Sequence, residues 1–321
     1  MTARIPSGVL QAAALVRSGN LMEATREIQR ALGGGGWMPA SDAAAPAAEP
    51  LRGRGRFLTD TYSNSAGTRT YKTYLPPRPV QGLPVVVMLH GCKQHPDDFA
   101  AGTRMNALAD ELGFVVVYPA QSSQANLSAC WNWFQPEHQR RDAGEPSLIA
   151  GMTREVTARH VLNAQRTYVA GMSAGGAMAA VMAGTYPELY AAIGIHSGLA
   201  HAAARDMPSA FAAMKRNTRA WAGAPRDKRM IVFHGDRDTT VHPSNGEYRT
   251  SGTLEKVEKG SANGRAYTRT LHLNAEGETV LEHWLVHGAG HAWSGGSMSG
   301  SFADPRGPDA SREMLRFFLG T

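Results

Sequence analysis

The stretch YVAGMSAGGAM, residues 168–178, sets one serine between glycines, straight after a short apolar run and straight before a helix-forming one. Arg166 to Ala170 read as a strand and Ala174 to Tyr186 as a helix, so the residues from Gly171 to Gly175 must turn the backbone sharply. Glycines lack Cβ, which lets strand and helix pass close together and leaves Ser173 Oγ projecting from the sheet edge. This is the G-x-S-x-G pattern of a nucleophile elbow. Small residues also gather in ordinary strand-to-helix turns, so the motif gains weight only from partner residues elsewhere.

Working outward, short apolar runs recur: Val85 to Leu89, Phe114 to Tyr118, Tyr168 to Ala170, Ile193 to Ile195 and Met230 to Phe233. Such runs suit strands covered on both faces. Arg69 to Leu75 alternates like an edge strand. Helical stretches lie between many of them, at Asp98 to Leu112, Ser147 to Asn163, Ala174 to Tyr186, Pro208 to Arg219 and Ala310 to Leu319. Buried strands alternating with helices imply an α/β fold, a mainly parallel sheet between helix layers, with ligands at the carboxyl ends of the strands.

The chemically suggestive residues fall at those ends. Leu89-His-Gly-Cys-Lys-Gln94 follows the first buried strand, His234-Gly-Asp-Arg-Asp-Thr-Thr-Val-His-Pro243 follows Met230 to Phe233, and Gly288-Ala-Gly-His-Ala-Trp-Ser-Gly-Gly296 follows Trp284-Leu-Val. The order Ser, Asp, His along the chain is the order the α/β-hydrolase architecture uses. A serine hydroxyl needs a neutral imidazole to take its proton, and the imidazole needs a carboxylate to fix its tautomer. The assignment is Ser173 as nucleophile, His291 as base and then acid, and Asp238 as the orienting acid. Asp236 competes with Asp238; His283 and His287 compete less well with His291, because they lie within the strand-like stretch Glu282 to His287.

The set HGC-Q at 90–94, CWNWF at 130–134, GMSAGG at 171–176, HGDRDTTVHP at 234–243 and GHAWSGG at 290–296 resembles the esterase family of poly(3-hydroxybutyrate) depolymerases, in its short forms with a type 1 catalytic domain. The likeness covers about residues 50 to 320, and LMEATREIQRAL at 21–32 resembles the leader of those short forms. It implies the same three residues as the triad. By position, the backbone N–H groups of Cys92 and Ala174 are the expected oxyanion-hole donors. Trp131, Trp133 and Phe134, with Trp293, are expected to wall the cleft, and Lys93 and Gln94 to face substrate. The resemblance also implies a disulfide between Cys92 and Cys130. Lys93 stands where relatives commonly have a small polar residue, and Ser294 where they often have proline. With no substrate-binding module after Thr321, the expected substrate is a short oligomer or soluble polymer of a hydroxybutyrate-type polyester. A poly(aspartic acid) hydrolase and a feruloyl or acetylxylan-type carbohydrate esterase are the alternatives within the same chemistry, and a non-enzymatic binding module is the alternative outside it.

The rest of the chain bounds these readings. At 321 residues and 42% hydrophobic, it can bury one large core. The organisation expected is a helical hairpin at 1–32, a Gly/Ala/Pro linker at 33–50 and a catalytic domain at 51–321, with the hairpin able to serve as a dimerising arm. No run approaches the roughly 18 apolar residues of a membrane span. Gln11-Ala-Ala-Ala-Leu-Val is too short for a secretory signal, so a cytoplasmic chain is expected, or a secreted or periplasmic one if a leader has been removed. The two cysteines and scattered histidines predict no metal and no cofactor. The excess of 33 basic over 27 acidic residues gives +6. It is mostly arginine, clustered at Arg52, Arg54 and Arg56 and at Arg140 and Arg141, but no aromatic-basic interleaving supports nucleic-acid binding. An anionic substrate or a solvated face remains.

Overall fold

Alternate residues of each apolar run serve two different cores. The structure, a computed structural model, describes residues 55–215, 228–248 and 250–320; the expected hairpin and linker lie outside the described residues. In chain order the strands are β1 (Arg56–Asn64), β2 (Gly67–Leu75), β3 (Val85–Leu89), β4 (Val115–Pro119), β5 (Thr167–Met172), β6 (Ala192–His196), β7 (Arg229–Gly235), β8 (Leu254–Ala262), β9 (Arg265–Leu273) and β10 (Thr279–Val286). They form one sheet in the order β1-β2-β4-β3-β5-β6-β7-β10-β9-β8. The six strands from β4 to β10 in that order pair in parallel, and antiparallel pairs extend both ends. A small parallel pair, β11 (Trp293–Ser294) with β12 (Ala303–Asp304), lies apart.

The helices are α1 (Pro96–Thr103), α2 (Met105–Leu112), α3 (Gly144–Arg159), α4 (Ala174–Thr185), α5 (Met207–Lys215) and α6 (Ala310–Leu319). Val85, Val87 and Leu89 point from β3 into one core with Leu148, Met152 and Val156 of α3 and Met178 and Met182 of α4. Val86 and Met88 point the other way, into a core with Phe99, Met105 and Leu108 of α1 and α2 and Met314, Leu315 and Phe318 of α6. That two-sided burial, at about 1.5–3 kcal/mol for each large apolar side chain, is why the strands carry no polar face.

Strand β3 lies between β4 and β5, so the chain leaves it first to one side and then to the other. This is the topological switch point at which an open parallel sheet leaves a crevice beyond its carboxyl ends. Here it falls between the turn after β3 and the serine after β5. The close fit depends on Gly175, where a Cβ would stand 2.0 Å from Leu89 O.

Two expectations need correction, and one pair of strands is new. The stretch 98–112 is two helices, broken at Arg104, whose φ of 56° ends α1 and starts α2; its guanidinium then reaches Gly295 O at 2.9 Å and Asp309 at 2.6 Å. Residues 69–75 are an internal strand, because the more polar β1 takes the edge beside them. The antiparallel pair β8 and β9 was not expected, its strands being too charged to register as apolar runs. Among the described residues no helix is long and apolar enough to cross a membrane.

Candidate active site

Each of the three triad candidates sits in the turn or loop past the carboxyl end of a parallel strand. Ser173 follows β5 at φ 55° and ψ −120°, a conformation rarely adopted by a residue with a side chain and held here by its surroundings. Its N–H donates to His196 O at 2.9 Å, at the end of β6. From Thr167 to Ala183 every residue is buried except Ser173. The elbow thus offers one side chain to solvent.

Asp238 lies in the turn after β7. Its Oδ1 accepts from the N–H groups of Thr240 and Val241, each at 2.9 Å, and Oδ2 accepts from His291 Nδ1 at 2.7 Å. Burial alone would raise the Asp238 pKa. Hydrogen bonds from His234 and His291, the charge of His291 and the Val241 amide outweigh it and hold the carboxyl well below the usual carboxylate range. The Arg237 N–H donates to Ala289 O at 2.9 Å, so the two loops are joined through the backbone as well.

The competing pair also forms. His287 Nδ1 faces Asp236 Oδ2 at 2.9 Å, but its Nε2 is held by Thr268 Oγ1 at 2.9 Å, so neither ring nitrogen is left to take a proton. In His291 the Nε2 has no partner among the described residues, and neither has Ser173 Oγ. The structure pairs His291 with Asp238; it forms no hydrogen bond between Ser173 and His291. Such contacts often tighten only in complexes with substrate. His283 is half-buried within β10, with its Nε2 buried and unpartnered and no carboxylate within 4 Å of it among the described residues.

His196 ties the serine and histidine loops together. The Ser294 N–H donates to its Nε2 at 3.0 Å, which puts the ring proton on Nδ1, 3.2 Å from Ser197 Oγ. A proline at position 294 could not donate that bond. Trp293 stacks on His196 with ring centroids 5.0 Å apart.

The turn after β3 comes against the elbow: a Cβ on Gly91 would lie 3.5 Å from Ser173 Cβ. In that turn the Gly91 N–H donates to Gln94 Oε1 at 2.9 Å, Lys93 N–H to Ser128 O at 2.7 Å and Gln94 N–H to Gly91 O at 3.2 Å. Cys92 has the one N–H of the four without a partner. Ala174, the first residue of α4, likewise has an unpartnered N–H, as helix starts do. Cys92 and Cys130 are joined by a disulfide, and Lys93, at φ 64°, is exposed.

Several residues expected on the cleft wall face inward. Gln94, expected to face substrate, is 3% exposed and spends its amide on Gly91, Asp98 and Ser301, so it shapes the turn. Trp293 is 1% exposed, with its Nε1–H on Ser311. Trp131 is equally buried and donates to His90 O at 3.1 Å. Trp133 and Phe134 are buried edge to face against each other. A loop aromatic packs inward when the ring finds apolar cover and its N–H a carbonyl, and both are present here.

Sequence reasoning missed Glu145. This buried carboxylate accepts from the Asn132 N–H and side chain, each at 2.7 Å, and from Gln121 Nε2, so it organises the loop carrying the aromatic residues. Its signal was an acidic residue in the first turn of a helix beside that loop. His90 was missed as well; it accepts from Gln121 N–H at 3.1 Å and donates to Gly91 O at 2.8 Å.

Burial pushes the pKa of His90 and His283 down to about 4 and that of His196 to about 3, against an ordinary 6.5. The unfolded chain takes these protons below about pH 6.5 and the folded protein does not until about pH 3–4. The stability they contribute is therefore complete above about pH 6.5 and is lost as pH falls, at up to ~1.4 kcal/mol per pH unit per histidine. Replacing His283 by Leu should flatten this slope. Urea midpoints at pH 7 and pH 5 check it, and an unchanged slope in His283→Leu would contradict the assignment.

A serine elbow, a buried Asp–His pair and two free amides at the switch point of a mainly parallel sheet define an α/β-hydrolase. The fold aligns with an acetyl xylan esterase from Aspergillus awamori at a TM-score of 0.61 and 20% identity, over 83% of this chain and 99% of that one. The esterase PHB depolymerase family matches residues 69–265, and the chain belongs to that family. It is 31% identical over 226 residues to poly(3-hydroxyalkanoate) depolymerase C of Paucimonas lemoignei, covering 65% of this chain and 54% of that protein. It is 34% identical over 205 residues to feruloyl esterase B of Neurospora crassa, covering 58% and 69%. The chain thus spans about half the length of the depolymerase it matches.

Proposed function

We propose that this chain is a serine esterase that cleaves a 3-hydroxybutyrate-type polyhydroxyalkanoate, or its oligomers, through an acyl-enzyme. The observation carrying the reading is the His291–Asp238 hydrogen bond of 2.7 Å, together with an elbow serine whose hydroxyl has no hydrogen-bond partner among the described residues. Ser173 Oγ attacks the ester carbonyl while His291 Nε2 takes its proton; Asp238 holds the imidazole with Nε2 unprotonated and offsets the charge it gains. The carbonyl oxygen becomes an oxyanion between the Cys92 and Ala174 N–H groups. His291 then passes the proton to the departing alcohol, and water releases the acyl group by the same steps reversed. The likeness to poly(3-hydroxyalkanoate) depolymerase C supports the polyester.

A carbohydrate esterase is the second reading, favoured by the likeness to feruloyl esterase B. The poly(aspartic acid) reading has less support. Many of its arginines are neutralised, Arg141 by Glu188, Arg159 by Asp60, Arg265 by Asp304 and Arg312 by Glu111. Incubation with polyhydroxybutyrate, its trimer, a feruloylated sugar and polyaspartate, with products identified by mass, decides among them. Hydroxybutyrate monomer and dimer are expected; ferulate with intact trimer would move the function to the second reading.

The disulfide carries a further expectation. It fixes the residue whose N–H is the proposed oxyanion donor, and loss of one such donor costs on the order of 10²–10³ in kcat. Cys130→Ser should therefore lower kcat on p-nitrophenyl butyrate about tenfold with little change in KM, since the amide is loosened and not removed. An unchanged kcat would place the oxyanion hole elsewhere.

A further inference from the structure

Two loops leave the candidate site and line an open cleft. One runs from Cys130, bonded to Cys92, through the aromatic motif to Arg140; the other runs from His196, whose carbonyl receives the Ser173 N–H, to Arg205. They are tied where Gln139 Nε2 donates to Ala204 O at 2.7 Å and His201 Nε2 donates to Gln139 O at 3.2 Å. Between them lies an open surface cleft of about 490 Å³ bounded by Arg140, Arg205, Ala203, Ala204, Ser209 and Ala212, with both arginines exposed.

Its chemistry is asymmetric. Arg140 and Arg205 bring two cations, and neither guanidinium has a carboxylate within 4 Å among the described residues. The sequence neighbour Arg141 differs, since it pairs with Glu188 at 2.8 Å and lies over the Tyr186 ring. The nearby acid, Asp206, is held by the N–H and hydroxyl of Ser209 at 2.8 and 2.5 Å. The remaining wall is Pro136, the polar side chains of Gln139 and Ser209, and alanine methyl groups. Two guanidinium groups beside a wall of small residues suit a carboxylate on a short aliphatic chain.

We infer that this cleft is a subsite for the free carboxylate end of a hydroxyalkanoate oligomer, held by Arg140 and Arg205 with the adjoining methyl groups against Ala203, Ala204 and Ala212. The inference rests on the polyester reading above and deepens it: the preferred substrate is a short acid-terminated oligomer engaged by its end. Such a subsite gains nothing from an internal polymer segment, which carries no charge.

The test is a calorimetric titration of the Ser173→Ala protein, which binds without turnover, using 3-hydroxybutyrate trimer as free acid and as methyl ester. The acid should bind about tenfold tighter than the ester, and Arg140→Ala with Arg205→Ala should erase the difference while leaving ester binding unchanged. Arg140→Lys with Arg205→Lys should keep part of it. Equal binding of acid and ester, or a preference that survives in the double alanine variant, would overturn the subsite. Polyaspartate binding tighter than the trimer, and equally lost in the double variant, would overturn the chain-end assignment in favour of side-chain carboxylates. Turnover of p-nitrophenyl butyrate by the protein with Ser173 intact is measured separately. Its absence alongside arginine-dependent acid binding would refute the esterase reading and leave the carboxylate site standing.

Discussion

Ser173→Ala should reduce ester hydrolysis by about 10⁶-fold, to the level of the oxyanion site and binding alone. The fold should survive. Alanine adopts the same φ of 55° at no greater cost than serine, and the lost hydroxyl leaves no buried donor unpaired, because Oγ has no partner among the described residues. The helix behind it keeps its start, since the Ala177 N–H bonds the backbone carbonyl of residue 173 at 2.9 Å and does not use the side chain. The melting temperature should therefore move by no more than about 2 °C, and kcat measured on p-nitrophenyl butyrate should be near zero. An active variant would show that some other group attacks the ester.

Asp238→Asn should lower kcat by about 10⁴, for a reason visible in the hydrogen bonds. Oδ1 of the asparagine would still accept from Thr240 and Val241, so the amide nitrogen must take the place of Oδ2 and point a donor at His291 Nδ1. The imidazole then keeps its proton on Nε2, facing Ser173, where a base needs a lone pair. Turning the amide over would set its N–H₂ against two backbone N–H groups. Asp236→Asn should change kcat less than about threefold. Its partner His287 is already held at Nε2 by Thr268, and both side chains are about one-third exposed. Because the Asp238 carboxyl titrates well below the usual range, the acid limb of the kcat profile should not follow this residue. Parallel kcat measurements on the two variants decide, and the reverse order would move the acid to Asp236.

Strand-to-loop logic made the positions of the candidate residues legible in the sequence. Ser173, Asp238 and His291 each follow an apolar run, and a parallel sheet sends all such ends to one edge. Sequence ranked Asp238 and His291 above Asp236 and His287 but could not show what separates the two pairs, which are spaced almost alike. The difference lies in Thr268, a residue on β9, which occupies the second nitrogen of His287 and is visible only once the hairpin is folded. That hairpin itself had a readable signal in Asn263-Gly264, at φ 46° and 76°, the two-residue turn that joins β8 to β9. The charged strands around it masked the period-two pattern.

The aromatic residues illustrate the opposite limit. Trp131 lies in a loop and Trp293 in the two-residue strand β11, past the main sheet, which favours a surface role by position alone, yet each finds a hydrogen-bond partner for its N–H in the interior, and this turns the ring inward. Gln94 is similar: a polar side chain in a turn, it is consumed in fixing the turn. Burial of a loop side chain depends on what lies beneath it, and no local pattern encodes that.

The central claim is that Ser173 is the nucleophile and His291 its base. Treatment with a fluorophosphonate, followed by intact-mass and peptide mass spectrometry, tests it most directly, because the reagent requires an activated serine. The account predicts a single adduct on the peptide carrying Ser173, formed orders of magnitude more slowly in His291→Ala, with loss of p-nitrophenyl butyrate hydrolysis in step with labelling. An adduct on a different serine, or full hydrolysis by protein labelled at Ser173, would contradict it.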